Sequence, residues 1–208
     1  MKVAVIGGTG AMGKALARHL SRENEVIIGS RERSRAIAAA SGIRGAVGSD
    51  YKGASRDADA IIFAIPYEAV DLVADLAGEV SSKLVISTIN PMTMEGGLLK
   101  YTPRGDSAAE ELAHILPHSR VATAFNNVPS GFLKEGTVPP VDILVATDSN
   151  ETYEEVARLV LSIREMRPLY VGPLSEARIV EAMTPLVLNL AKLNGTKALA
   201  TKFVTRKG

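Results

Sequence analysis

An α/β fold built on a doubly wound parallel sheet is what this sequence predicts, and three observations predict it. Short β-branched runs alternate with longer segments of helical period, the pattern of βαβ units. The runs Ile61-Ile62-Phe63 and Leu84-Val85-Ile86 carry no polar alternation, as expected of strands covered on both faces. The chain opens on the strand-like Val3-Ala4-Val5-Ile6, which passes through a glycine-rich turn into an amphipathic segment.

Taken in order, strands are expected over residues 2–7, 25–29, 60–64, 84–87, 120–124, 142–146 and 168–171. Helices are expected between them at 12–21, 34–40, 67–78, 107–116 and 153–162. From Ser175 to about Leu193 the chain reads as one long helix, apolar on much of its circumference. Ile179, Val180, Met183, Leu186, Val187, Leu190 and Leu193 give it more apolar surface than one sheet edge needs, so a homodimer is expected. The chain divides into a nucleotide-binding domain over 1–173 and a small C-terminal helical extension over 174–208.

At 208 residues, the chain holds one domain of this kind. Its 24 basic and 23 acidic residues leave a net charge of +1, which gives no support to nucleic-acid binding, so any anion site must be local. The absence of cysteine excludes a disulfide framework, thiolate metal sites and a cysteine nucleophile. His19, His114 and His118 have no ligand spacing with nearby acids, and no metal is expected. Nothing resembles a signal peptide, and the most apolar later stretch, 183–193, is too short for a bilayer and carries Asn189 and Lys192. A cytoplasmic protein without a membrane partner is expected.

The turn after the first strand is Gly7-Gly8-Thr9-Gly10-Ala11-Met12-Gly13. Gly8, Gly10 and Gly13 fit G-x-G-x-x-G, and Gly7, Gly10 and Gly13 fit the looser G-x-x-G-x-x-G. A glycine triplet alone is weak, but between a strand and a helix it has the context of a dinucleotide loop. Glycine permits the tight turn and lets the backbone approach a pyrophosphate, which the helix N-terminus then binds. The fold is thus Rossmann-type, with Gly8, Thr9, Gly10, Met12 and Gly13 against the cofactor. At the end of the second strand an NAD site places an acid for the ribose hydroxyls. This chain has Gly29-Ser30-Arg31-Glu32-Arg33-Ser34-Arg35. Ser30, Arg31 and Arg35 suit a 2′-phosphate through charge-assisted hydrogen bonds, which points to NADP(H). Glu32 fills the NAD role only if the strand ends later.

No nucleophile with a base, close carboxylate pair or acid–base histidine stands out. Ala64-Ile65-Pro66, Ser87-Thr88 and Asn126-Asn127 follow strands at the edge where open α/β sheets bind ligands. Hydroxy-acid dehydrogenases add a large helical domain to such a nucleotide unit, whereas little chain follows Val171 here. A hydride passing between two bound heterocycles needs close stacking and exclusion of water, not a strong acid or base. The missing motif fits that chemistry.

Over nearly its whole length the chain resembles the coenzyme F420-dependent NADP reductases. The opening Val5-Ile6-Gly7-Gly8-Thr9-Gly10 with Gly13-Lys14 looks like that family's nucleotide loop, and Gly29-Ser30-Arg31 with Arg35 like its 2′-phosphate site. Most specific is Gly172-Pro173-Leu174-Ser175, Arg178-Ile179-Val180-Glu181, Thr184-Pro185-Leu186, Leu188-Asn189 and Asn194-Gly195. The resemblance implies an enzyme, an NADPH-dependent coenzyme F420 reductase, in which nicotinamide and deazaflavin stack face to face above the strand ends. It implies that Thr9, Ser30, Arg31 and Arg35 hold NADP. It implies that Val128, Thr184 and Leu199 lie around the rings, with Thr184 and Val128 positioning them, and that Arg178 is near the deazaflavin pocket. Pro185 would strip a carbonyl one turn earlier of its N–H partner. That carbonyl and the Thr184 hydroxyl are expected to face the nicotinamide carboxamide.

Asn126 departs from the family, whose deazaflavin enzymes have histidine there, and is similar to the oxidoreductase domain of the six-transmembrane metalloreductases. An NADPH-dependent flavin or ferric reductase using FMN or FAD is therefore the alternative, and a non-catalytic NADP(H) sensor a third. Lys202, Arg206 and Lys207 stand either against the coenzyme's anionic tail or in a solvated terminus.

Overall fold

The computed structural model describes residues 1–133 and 138–204; Arg206 and Lys207 lie outside them. An eight-stranded sheet carries the fold, in the order β10-β9-β8-β5-β4-β1-β2-β3. Its strands are β1 (Lys2–Ile6), β2 (Glu25–Ser30), β3 (Ala46–Asp50), β4 (Ala60–Phe63), β5 (Leu84–Ser87), β8 (Arg120–Thr123), β9 (Val141–Thr147) and β10 (Met166–Gly172). A separate hairpin joins β6 (Met92–Glu95) to β7 (Leu98–Tyr101). The helices are α1 (Ala11–Leu20), α2 (Arg33–Ala40), α3 (Tyr51–Asp57), α4 (Ala77–Val80), α5 (Ala108–Ile115), α6 (Ser130–Leu133), α7 (Asn150–Leu161) and α8 (Ala177–Leu193).

Alternation along the strands builds two cores. Val3 and Val5 of β1 join Leu16 of α1, Ala36 of α2 and Val156 of α7 on one face. Ala4 and Ile6 join Phe63 of β4, Ala54 of α3, Leu112 of α5 and Ala177 of α8 on the other. All seven expected strands are present. Two differences matter for the site. The sheet is parallel except where β9 pairs antiparallel with β8, at Ala122↔Thr147 and Thr123↔Ala146. The edge pair β9–β10, parallel to each other, therefore runs opposite to the rest. The helix expected at 67–78 is instead a 3₁₀ segment, Tyr67–Leu76, followed by the short α4.

After β3 the chain crosses back to place β4 beside β1. That reversal makes a crevice at the carboxyl ends of β1 and β4, the place where open sheets bind ligands. A Cβ at Gly7, whose φ is +82°, would collide with the Ala64 carbonyl, and one at Gly13 would lie 2.5 Å from the Gly7 oxygen. These two glycines let α1, β1 and β4 meet.

Candidate functional site: the nucleotide crevice

Gly10 differs from its neighbours. It is exposed, and a Cβ there would touch only the Gly7 carbonyl oxygen, at 3.3 Å. Packing therefore asks little of it, while its bare backbone leaves the start of α1 open. No side chain caps that helix, and its first turn holds no acid. Uncovered N–H groups and the positive end of the helix dipole together suit an anion.

A cavity of about 410 Å³ extends from this turn along the strand ends. Gly10, Ala11 and Met12 form one wall, and Ala64, Ile65 and Pro66 another. Thr88 and Asn90 after β5 and Asn126, Asn127 and Val128 after β8 line its far part. Thr184, Val187 and Leu188 of α8 close it, so the C-terminal helix is part of the cavity wall. Its lining is a small set of polar groups in an apolar wall, as in ligand sites generally.

The polar groups are held by one another. Thr123 Oγ1 donates to Asn126 Oδ1 at 2.8 Å, and Asn126 Nδ2 donates to the Ile89 carbonyl at 3.0 Å and Asn90 Oδ1 at 3.2 Å. Phe125 is fully buried at φ +64°, a strained setting for a bulky residue, and it turns the chain so that Asn126 faces β5. The Thr184 hydroxyl lies 2.8 Å from the Asn126 carbonyl oxygen and 3.0 Å from Asn90 Oδ1. Its one proton is given to its own chain. It fastens α8 to the loop after β8 and keeps lone-pair capacity for a ligand N–H.

Asn127 fixes the end of the chain. Its Nδ2 donates to the Asp142 carbonyl and to Thr201 Oγ1, each at 2.6 Å. Asp142 accepts from Arg167 at 2.7 and 2.8 Å and from the Phe203 N–H at 2.5 Å. The Arg167 guanidinium holds the Asp142 carboxyl below its ordinary range. Leu199 lies on this strapped tail, half-buried, and is not among the residues lining the cavity. Lys202 is on the same tail and exposed.

The other expected residues fall into separate places. Gly8 and Gly13 are buried in the turn, and Thr9 lines a groove along α1 with Lys14 and Arg18. Ser30 is buried at the end of β2. Arg31 borders a second cavity with Asp50, Tyr51, Lys52, Gly53 and Arg56. Arg35 is not part of that lining and pairs with Glu32 at 3.8 Å, both side chains exposed. Arg178 sits on the exposed face of α8, by a hollow with Tyr101, Asp106 and Leu186, away from the main cavity.

Glu181, so far only one residue of the C-terminal motif, has a part that the sequence does not show. It is fully buried and its carboxylate accepts from the Ala108 and Ala109 N–H groups at the start of α5, each at 3.0 Å, and from the Tyr101 hydroxyl at 3.0 Å. Burial pushes its carboxyl up to about 7, against the opposing pull of those three donors. The Tyr101 phenol is pushed up by burial and by the Glu181 charge. Among the described residues no cluster of histidine and acidic groups is suited to a metal, and no helix is long and apolar enough to cross a membrane.

Comparison with known proteins gives the family. Residues 2–91 match the family described as NADP oxidoreductase, coenzyme F420-dependent. The F420-dependent NADP reductase of Methanocaldococcus jannaschii is 34% identical over 206 residues, covering 91% of this chain and 92% of that one. The enzyme of the same name from Methanothermobacter thermautotrophicus is 37% identical, covering 91% and 89%. Among solved structures, a protein of Arthrobacter sp. FB24 provisionally assigned as an F420-dependent NADP reductase matches with a TM-score of 0.86 at 20% identity, covering 99% and 100%. A reductive aminase of Aspergillus terreus in complex with NADPH matches with a TM-score of 0.67, also at 20% identity, covering 93% of this chain and 63% of that one. These two likenesses show the shared fold; the sequence relatives, alike over nearly their full length, show that the chain belongs to the family of F420-dependent NADP reductases.

Proposed function

We propose that this protein transfers a hydride between NADP(H) and coenzyme F420. The observation that carries the reading is the continuity of the cavity, from an uncapped helix start at Gly10 to an apolar chamber closed by α8. Bound together, NADP(H) and F420 would supply the hydride exchange, with one proton taken up when F420 is the acceptor. The chain's own part is to hold the pyrophosphate at Gly8–Met12, the 2′-phosphate near Ser30 and Arg31, and the rings between the Ala64–Pro66 wall and Thr184. Val128 and Leu188 exclude water there. The segment 174–208 completes the second-coenzyme pocket, with Leu199 held near it by the strapped tail. The flavin and ferric reductase readings and the sensor reading lose their ground, because the named relatives are F420 enzymes. Asn126, the support of the flavin and ferric reductase reading, spends its amide on Thr123, Ile89 and Asn90. Purified protein should oxidise NADPH with F420 and not with FMN or FAD; the reverse acceptor preference overturns the reading.

No proton-transfer side chain is needed, so placement is the chain's contribution. Thr184→Val keeps the shape and removes the tie to Asn126. Turnover should fall about ten- to a hundredfold, one or two hydrogen bonds' worth of positioning, while NADPH binding changes little. His19, His114 and His118 should each tolerate alanine without loss of rate. His19 is buried against the Leu133 carbonyl, 2.8 Å from its Nε2, so folding must be verified first. A folded His→Ala variant without turnover overturns the mechanism.

The proposal extends to assembly, as a homodimer in the cytoplasm with only small-molecule coenzymes as other partners. Val180 and Val187 of α8 are buried in its own fold, whereas Ile179, Leu186, Leu190 and Leu193 form an exposed stripe along the helix. Light scattering at micromolar concentration should give about twice the 22.0 kDa chain mass; a stable monomer overturns the dimer.

A further inference from the structure

Of the arginines on the turn after β2, Arg31 borders a cavity and Arg35 does not. Arg35 and Glu32 face each other at 3.8 Å, and Arg35 lies outside the cavity that Arg31 borders. What faces Arg31 comes from elsewhere in the chain. β2 and β3 pair in parallel with Ser30 opposite Asp50, so the ends of both strands open on the same edge. Immediately beyond Asp50, α3 presents Lys52 and, one turn later, Arg56, both exposed and both lining that cavity of about 570 Å³. Asp50 is its one acid, and its carboxylate accepts from the Gly53 N–H at 2.7 Å, capping α3. Among the described residues the Arg56 guanidinium pairs only with the exposed Asp57, at 3.6 Å, a pair that solvent screens. Tyr51 is half-buried and forms part of the same lining, close enough for the Arg31 charge to act on its phenol.

We infer that Lys52 and Arg56 are specificity-determining residues for NADP(H), gripping the ribose 2′-phosphate from the β3–α3 side while Arg31 grips it from β2. The inference rests on the proposed NADP(H) reading and assigns to it two residues in place of Arg35. Three cations around one cavity, with its acid already engaged, suit a dianionic phosphate. The helix start is not the binding element, since Gly53 N–H is taken; the side chains are.

The test is binding of adenosine 2′,5′-bisphosphate and of adenosine 5′-monophosphate, by calorimetry on the purified full-length protein at fixed salt. Lys52→Gln and Arg56→Gln should each weaken the bisphosphate about tenfold, and the double variant about a hundredfold, with the monophosphate changed less than twofold. Arg35→Gln should change neither by more than about threefold. Thermal unfolding at the wild-type midpoint confirms the folds, since both positions are exposed. If Arg31→Ala loses the bisphosphate selectively while both glutamine variants bind it normally, the inference is overturned and the NADP(H) reading stands. If Arg31→Ala is also indifferent to the 2′-phosphate, the reading of this end of the site fails, and the inference with it.

Discussion

Arg31→Ala raises the Michaelis constant for NADPH by about ten- to a hundredfold and leaves that for NADH nearly unchanged. The two cofactors differ only in the 2′-phosphate that we propose Arg31 meets, and losing a charge-assisted contact of this kind costs about 1.5–3 kcal/mol. Arg31 is exposed and makes no structural ion pair among the described residues, so the change should reach binding without disturbing the fold. Steady-state kinetics with both cofactors reads the result. Equal effects on the two would remove Arg31 from the 2′-phosphate site.

The second large effect falls on stability. Glu181→Ala leaves two buried N–H groups of α5 without their acceptor and takes one of two acceptors from the Tyr101 hydroxyl, which keeps the Asp106 carbonyl at 3.1 Å. At about 1–3 kcal/mol for each unsatisfied buried group, the loss should be several kcal/mol, or about 10 °C in melting temperature for a chain of this size. Protonation gives a second signature. The carboxyl's value in the fold is about 7 against 4.5 unfolded, so the folded state binds more protons between those limits. Stability from this group is therefore complete below about pH 4.5 and declines as pH rises to about 7, by about 3 kcal/mol in all. Glu181→Gln abolishes that titration. Its deficit relative to wild type should be widest near pH 4.5 and narrowest at neutral pH; a deficit independent of pH would show that Glu181 is ionised throughout.

Legibility in the sequence followed burial. Strands covered on both faces, such as Ile61-Ile62-Phe63, announce themselves, and the seven expected strands match those of the fold to within two residues at either end. The strand β3 was not read, because Ala46-Val47-Gly48-Ser49-Asp50 at the sheet edge is poor in strand formers. Gly48 is there because a Cβ would press into the backbone of α2. The helix α3 follows it with Gly53 and Ser55 inside; its signal was the Asp50 cap, three residues before the Gly53 N–H. The hairpin β6–β7 carried a plainer mark, Gly96-Gly97 at φ +57° and +80° between Met92-Thr93-Met94-Glu95 and Leu98-Leu99-Lys100-Tyr101. The nucleotide loop was legible because its glycines are adjacent in sequence. The rest of the crevice was not, since Asn90, Asn126 and Thr184 meet only through tertiary contacts across 94 residues of chain. Glu181 was hidden for the same reason, its partners lying 72, 73 and 80 residues away.

The reversal of β9 and β10 sets how insertions and deletions are tolerated. Because these strands run backwards, β10 delivers the chain at the edge of the sheet remote from the crevice, and α8 must travel back across it to reach Asn126. Its starting point is pinned at that remote edge, where Asp148 Oδ1 accepts from the Leu174 N–H at 2.9 Å and Gly172 turns at φ +136°. One residue added or removed between Gly172 and Ala177 turns every later position of a helix by about 100° and moves it about 1.5 Å. Thr184 would swing out of the crevice, and removal of one residue would carry the buried Val180 and Val187 to the exposed positions of Ile179 and Leu186. A short link far from the coenzymes thus has its length fixed as strictly as the glycine turn itself. The Gly96-Gly97 loop, by contrast, points to solvent and tolerates change in length.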